Sequence, residues 1–139
     1  MSTTIRPEIS MKNTYWIERH RYYELKHFCL QYPAWKKAYN SLLGLSSRRD
    51  VDNVSRNKYQ TSNPTEHSSM IRAMYAERMR LVEDAAEESD SDIFNYLILA
   101  VTKGVSYENL KTMYDIPCCR EKYYESYRKF FWILNQKRG

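Results

Sequence analysis

Residues 106–134, SYENLKTMYDIPCCREKYYESYRKFFWIL, hold two helical patterns on either side of Asp115-Ile116-Pro117. Ser106 can accept a hydrogen bond from the first turn of a helix, which places a short helix at Tyr107–Tyr114 with Tyr107, Leu110 and Tyr114 inward. Asp115-Ile116-Pro117 makes a turn, and Ile116 is apolar where two angled helices need a plug between them. Cys118 or Cys119 then opens a longer helix. Cys119, Tyr123, Phe130 and Leu134 share one face, with Tyr127 or Phe131 beside them, and Arg120, Glu121, Tyr124, Glu125 and Arg128 share the other. A short helix, a tight turn and a second helix with cations on its outer face form a helix-turn-helix pattern. Such a unit presents the first outer residues of its second helix to base edges in the major groove.

Working toward the N-terminus, Ile93, Phe94, Leu97, Ile98 and Val101 form an apolar stripe capped by Asp90 or Ser91 and stopped at Lys103-Gly104. That segment is the expected third helix of the unit. Before it, Asn63-Pro64-Thr65-Glu66 reads as a helix start, with an Asn cap, Pro at the first position and Glu at the third. The helix should run to about Glu87 with Met70, Met74, Leu81 and Ala85 inward. Residues 44–63, GLSSRRDVDNVSRNKYQTSN, are polar and without period, and read as a flexible linker. Residues 1–11 read as a loose tail. Between tail and linker, a helix from Thr14 with Trp16, His20, Tyr23, His27 and Leu30 on one face is broken at Tyr32-Pro33. A second helix, Ala34–Leu43, carries Trp35, Ala38, Tyr39 and Leu42 and stops at Gly44. The expected fold is therefore all-α: an N-terminal helical hairpin over 1–43, a linker over 44–63, and a helical domain over 64–139 ending in the helix-turn-helix.

Composition agrees with helices. With 3 Gly and 4 Pro in 139 residues, the chain lacks the turns that a sandwich or barrel needs. The mean hydropathy is −0.76 and the net charge +5, unevenly spread. Residues 103–139 carry a net +4 and residues 64–102 a net −5. A local positive field attracts a polyanion even on a mildly basic chain. No apolar run is long enough for a membrane span, and the first residues lack a signal-peptide core. Three cysteines, two of them adjacent, make a poor disulfide framework and suggest a reducing cytoplasm.

Other chemistries fit less well. His20, His27 and Cys29 lack the spacing of a zinc site, and no cofactor is expected. The acidic run Glu83, Asp84, Glu87, Glu88, Asp90 and Asp92 has no glycine-rich frame or histidine for nuclease chemistry. It reads as a solvated surface, and after that as a patch facing a partner. No phosphate loop or nucleophile elbow is present, so the chain reads as a non-enzyme.

The order of parts resembles the RinA/ArpU-type late transcription regulators of phages of Gram-positive bacteria. The likeness rests on LKHFCLQYPAWKKAYNSL, the polar linker, and the stretch from NPTEHSSM to KFFWIL. The C-terminal part of that family is similar to the DNA-reading fourth region of sigma factors. The resemblance implies a sequence-specific activator of late phage or prophage genes in the bacterial cytoplasm. Its partner would be double-stranded DNA, with host RNA polymerase and a second copy of the chain as further candidates. Carried over by position, the recognition helix is Cys118–Leu134, with Cys118, Arg120, Glu121, Lys122, Tyr124, Arg128 and Lys129 as DNA-binding residues. Pro117 stands where sigma-like motifs usually have Ser or Thr, so Pro at the first helical position would replace a hydroxyl cap. Two other functions stay open: a DNA-recognition subunit of phage packaging, similar to a small terminase, and an interaction module that inhibits a host nuclease.

Overall fold

The carboxylate of Glu18 accepts hydrogen bonds from the backbone N–H groups of His20 and Arg21, at 2.9 and 3.0 Å, and so starts the first helix at Arg19 rather than Thr14. The computed structural model describes residues 14–52 and 64–139, with side chains at 14–43 and 66–139. The described residues are mostly helical and contain no strand. The helices are α1 (Arg19–Leu30), α2 (Tyr32–Asp52), α3 (Pro64–Ser89), α4 (Phe94–Lys103), α5 (Tyr107–Tyr114) and α6 (Arg120–Arg138), with one 3-10 turn at Ser91–Ile93. No helix among the described residues is long and apolar enough to cross a membrane.

The chain divides into two compact units, residues 1–32 with 81–139, and residues 33–80. This differs from the expected division into a hairpin over 1–43 and a domain over 64–139. The cause is α1, which packs against α4 and α6 and so belongs with the C-terminal helices. Its buried side chains are Tyr22, Leu25, Phe28 and Cys29, on nearly the opposite side from the expected stripe. His20, His27 and Leu30 are exposed, and Trp16 and Tyr23 are half-buried. Aromatic residues fall on both sides of α1, and packing against α4 and α6 selects the side with Tyr22 and Phe28. Cys29 is fully buried, and desolvation pushes its thiol pKa well up.

The core of this larger unit is aromatic where α1 meets α6. Tyr22 meets Phe131 edge-on at 5.1 Å between centroids, and Phe131 meets Phe130 at 4.9 Å and 86°. Quadrupole attraction favours such T-shaped pairs, beyond the roughly 1.5–3 kcal/mol that burial of each ring supplies. The Tyr22 and Tyr127 hydroxyls lie 3.1 Å apart and satisfy each other inside the apolar layer. Farther along α6, Arg21 Nε donates to Asn135 Oδ1 at 2.6 Å, and the Arg138 guanidinium lies 4.0 Å from the Phe28 ring centre. The last stretch of α3 contributes Val82, Ala85, Ala86 and Ser89 to the buried surface, while Leu81 is half-buried.

In the smaller unit, α2 does not stop at Gly44 but continues to Asp52. A glycine costs about 1 kcal/mol inside a helix, which favourable neighbours outweigh unless the chain turns into the left-handed region. Residues 44–52 are thus helical rather than linker, and residues 53–63, with the Asn63 cap, lie outside the described residues, as does the tail 1–11. Pro33 sits in the first turn of α2, where its missing N–H has no helical partner to lose. Trp35 is buried, with the Arg78 guanidinium 5.9 Å from its ring centre. Met70 and Met74, expected inward, are 67% and 38% exposed. Their spacing reports the helical period of α3 but does not by itself place them in a core.

Candidate nucleic-acid interface

The turn between α5 and α6 is built by local rules. Ser106 Oγ accepts from the Asn109 N–H at 3.3 Å and caps α5. At the other end Asp115 adopts φ +53°, ψ +50°, the left-handed conformation that commonly closes a helix, and the Ile116 N–H donates to the Leu110 carbonyl at 3.1 Å. This reversal carries Ile116 inward, where it is fully buried. Tyr114, expected inward, is 43% exposed, and Ile116 two residues on is the buried residue of the turn.

Five residues, Asp115–Cys119, separate α5 from α6. This is a little longer than the three to four of an ordinary helix-turn-helix. The extra length moves the start of α6 past Pro117. Cys119 holds the N-cap position without a side-chain hydrogen bond, and it is exposed rather than packed as expected. Proline is therefore not the first helical residue. The segment is instead pinned by Tyr107, whose hydroxyl donates to the Cys118 carbonyl at 2.8 Å. Cys118 is half-buried, and desolvation raises its thiol pKa.

Besides Cys118 in the turn, the other six expected contact residues fall into three groups. Arg120 and Tyr124 come together at the α5 side. Arg120 Nη1 lies 2.7 Å from Glu108 Oε1 and donates to the Tyr124 hydroxyl at 3.1 Å. The same guanidinium stands 5.2 Å from the Tyr107 ring centre and 5.8 Å from that of Tyr124. The hydrogen bond that Arg120 donates to Glu108 is the main reason the Arg120 pKa is raised, and the cation is permanent in any case. An arginine expected to face bases is thus held by Glu108 and the Tyr107 ring of α5 and by Tyr124 of its own helix.

Lys122 and Lys129 lie on the other side of α6, lining a polar groove with Glu87, Glu88 and Asp90. Lys122 Nζ is 3.7 Å from Asp90 Oδ2, and farther along Lys137 Nζ is 2.5 Å from Glu88 Oε2. The acidic run is therefore in part a counter-charge for α6, a role that sequence could not reveal without knowing that α3 ends beside this helix. Asp90 also accepts from the Ser126 hydroxyl at 3.0 Å and caps the 3-10 turn through the Asp92 N–H at 3.0 Å.

Glu121 and Arg128 fall on the outward face with Glu125, and Glu121 and Glu125 are exposed while Arg128 is half-buried. Arg128, Lys129 and Lys111 form no ion pair among the described residues. Near the end of α5, Met113 is 70% exposed beside Tyr114. No group of three or more potential metal ligands occurs among the described residues.

No family model, curated protein or solved structure matches the chain. The likeness to late phage regulators thus rests on the residues quoted for it.

Proposed function

We propose that α5, the turn and α6 form a helix-turn-helix that binds duplex DNA, and that the chain is a transcriptional activator of late phage or prophage genes. The observation that carries this reading is the turn itself. Asp115 in the left-handed region ends α5, Ile116 is buried in the turn, and Arg120, Glu121, Lys122 and Glu125 in the first two turns of α6 are exposed. Arg128 and Lys111 supply positive charge outside any ion pair among the described residues, and Lys129 adds to it from the edge of the groove that it shares with Glu87, Glu88 and Asp90. Arg120 joins them when a phosphate or a guanine edge replaces Glu108 as its partner. Exposed ion pairs are weak, so the exchange costs little. Met113 and Tyr114 form an apolar projection suited to host RNA polymerase.

The test is a salt series on random and promoter-derived duplexes. Several phosphate contacts give an affinity that falls steeply and linearly on a log–log plot. Affinity that is flat in salt would remove the DNA reading. A second reading has its own support: Glu121 and Glu125 balance the charge of the outer face, and Met113 is strongly exposed, as in a module that docks on protein. Flat salt dependence together with capture of one host nuclease would select that reading.

A further inference from the structure

A half-open cleft of about 120 Å³ lies among α1, α4, α5 and α6. A dry cavity of about 150 Å³ accepts a benzene ring, so this space suits a single ring. Tyr107, Tyr123 and Tyr124 wall one side, with ring centres 5.2 Å apart for the first pair and 5.3 Å for the second. Leu30 and Val101 supply apolar surface, and Leu30 is 40% exposed.

The polar lining has one sign. It includes the Lys26 ammonium, which forms no ion pair among the described residues, and several hydroxyls, but no carboxylate. The Tyr123 hydroxyl is a neutral hydrogen-bond donor at neutral pH, and burial raises its pKa further. Such a lining favours an anion that also has an aromatic face.

We propose that this cleft binds a small single-ring aromatic carboxylate, with its ring against the tyrosines and its carboxylate on Lys26. Two walls of the cleft, Tyr107 and Tyr124, are also the rings that hold Arg120. A bound ring therefore shifts Tyr124 and loosens the Arg120 guanidinium from its place between them. This gives the chain a ligand-sensitive arginine, and it stands whether or not α6 reads DNA.

The test titrates 4-hydroxybenzoate into the full chain without DNA, following ligand saturation transfer and the Arg120 Nε–H resonance by NMR. Saturable binding is expected, together with movement of the Arg120 resonance. Lys26→Gln should bind about tenfold more weakly, since it removes a charged hydrogen-bond donor. Leu30→Trp, at an exposed position that leaves the fold intact, should fill the cleft and abolish binding. Linear uptake without saturation would overturn the proposal, as would Lys26→Gln or Leu30→Trp titrating like the parent chain. Saturation with an unmoved Arg120 resonance would overturn the link to Arg120.

Discussion

Arg120 reaches back across the turn to Glu108, Nη1 to Oε1 at 2.7 Å, so the first cation of α6 is held by the first turn of α5. Both side chains are half-exposed, and the pair is therefore a competitor for DNA rather than a pillar of the fold. Glu108→Gln should leave the melting temperature almost unchanged and tighten binding to every duplex by a few-fold, because it removes an anion from the interface. Arg120→Ala should weaken binding to the specific site by about tenfold with little loss on scrambled DNA. Arg128→Ala should weaken both alike and lower the salt slope by about one ion. Anisotropy titrations at several salt concentrations separate the three. Arg120→Ala and Arg128→Ala behaving identically on both duplexes would mean that α6 is not a reading helix.

The turn makes a prediction of its own. Ile116 is fully buried, so Ile116→Ala should cost about 2–5 kcal/mol in urea unfolding. Asp115 sits at φ +53°, where a side chain is a mild liability, so Asp115→Gly should be neutral or stabilising by up to about 1 kcal/mol. A marked loss of stability in Asp115→Gly would show that the aspartate side chain, not the backbone conformation, holds the turn.

These two residues also show what can be read from a sequence. Ser106, Asp115 and Ile116 act through neighbours within a few positions, so cap, reversal and plug follow from residue type alone. The Arg120 site does not follow: Glu108 and Tyr107 are twelve and thirteen positions away, and their meeting depends on the angle set by the turn. The inner face of α1 failed for a related reason. Its aromatic residues satisfy a helical period on two sides, and the choice between them is made by α4 and α6. The paired role of the acidic run likewise depends on α3 ending against α6, a long-range fact with no local signal.

Thiol reactivity should follow burial. Cys119 is exposed, Cys118 is half-buried with its thiol pKa raised, and Cys29 is enclosed. Limited alkylation read by peptide mass spectrometry should mark Cys119 first, Cys118 slowly and Cys29 only after denaturation. Rapid labelling of Cys29 in the native chain would contradict the packing of α1 on α6.

Glu18 sets an acid limit for α1. Its pKa is lowered chiefly by the hydrogen bond from the His20 N–H, then by that from Arg21. A group whose folded pKa is depressed stabilises the fold above its unfolded pKa and loses that effect as pH falls through the folded value. Glu18→Gln should therefore be less stable than the parent chain at neutral pH, with the gap closing below about pH 4.5. A gap that stays constant down to pH 3 would assign the effect to shape rather than charge.

Asp90 carries the junction between α3 and α4, and one side chain there meets three demands. Its Oδ1 accepts from the Asp92 N–H, its Oδ2 accepts from the Ser126 hydroxyl, and Lys122 stands 3.7 Å away. Ser89 adds a hydrogen bond to the Ser126 carbonyl at 2.5 Å, so two neighbouring residues clamp the middle of α6. The Asp90 side chain is only 9% exposed, which makes its hydrogen bonds more consequential than its loose ion pair. Asp90→Ala removes a cap and strands the Ser126 hydroxyl, and should cost about 2–4 kcal/mol. Asp90→Asn keeps an acceptor for the Asp92 N–H and lets the amide donate to Ser126, so it should cost about 1 kcal/mol. Lys122→Ala removes only the exposed partner and should stay within about 1 kcal/mol of the parent chain. Urea unfolding of the three variants gives the order. If Lys122→Ala proves as costly as Asp90→Ala, the charge pair rather than the hydrogen-bonded clamp holds α6 in place. The α6 cations would then be structural counter-charges, with less to offer a polyanion.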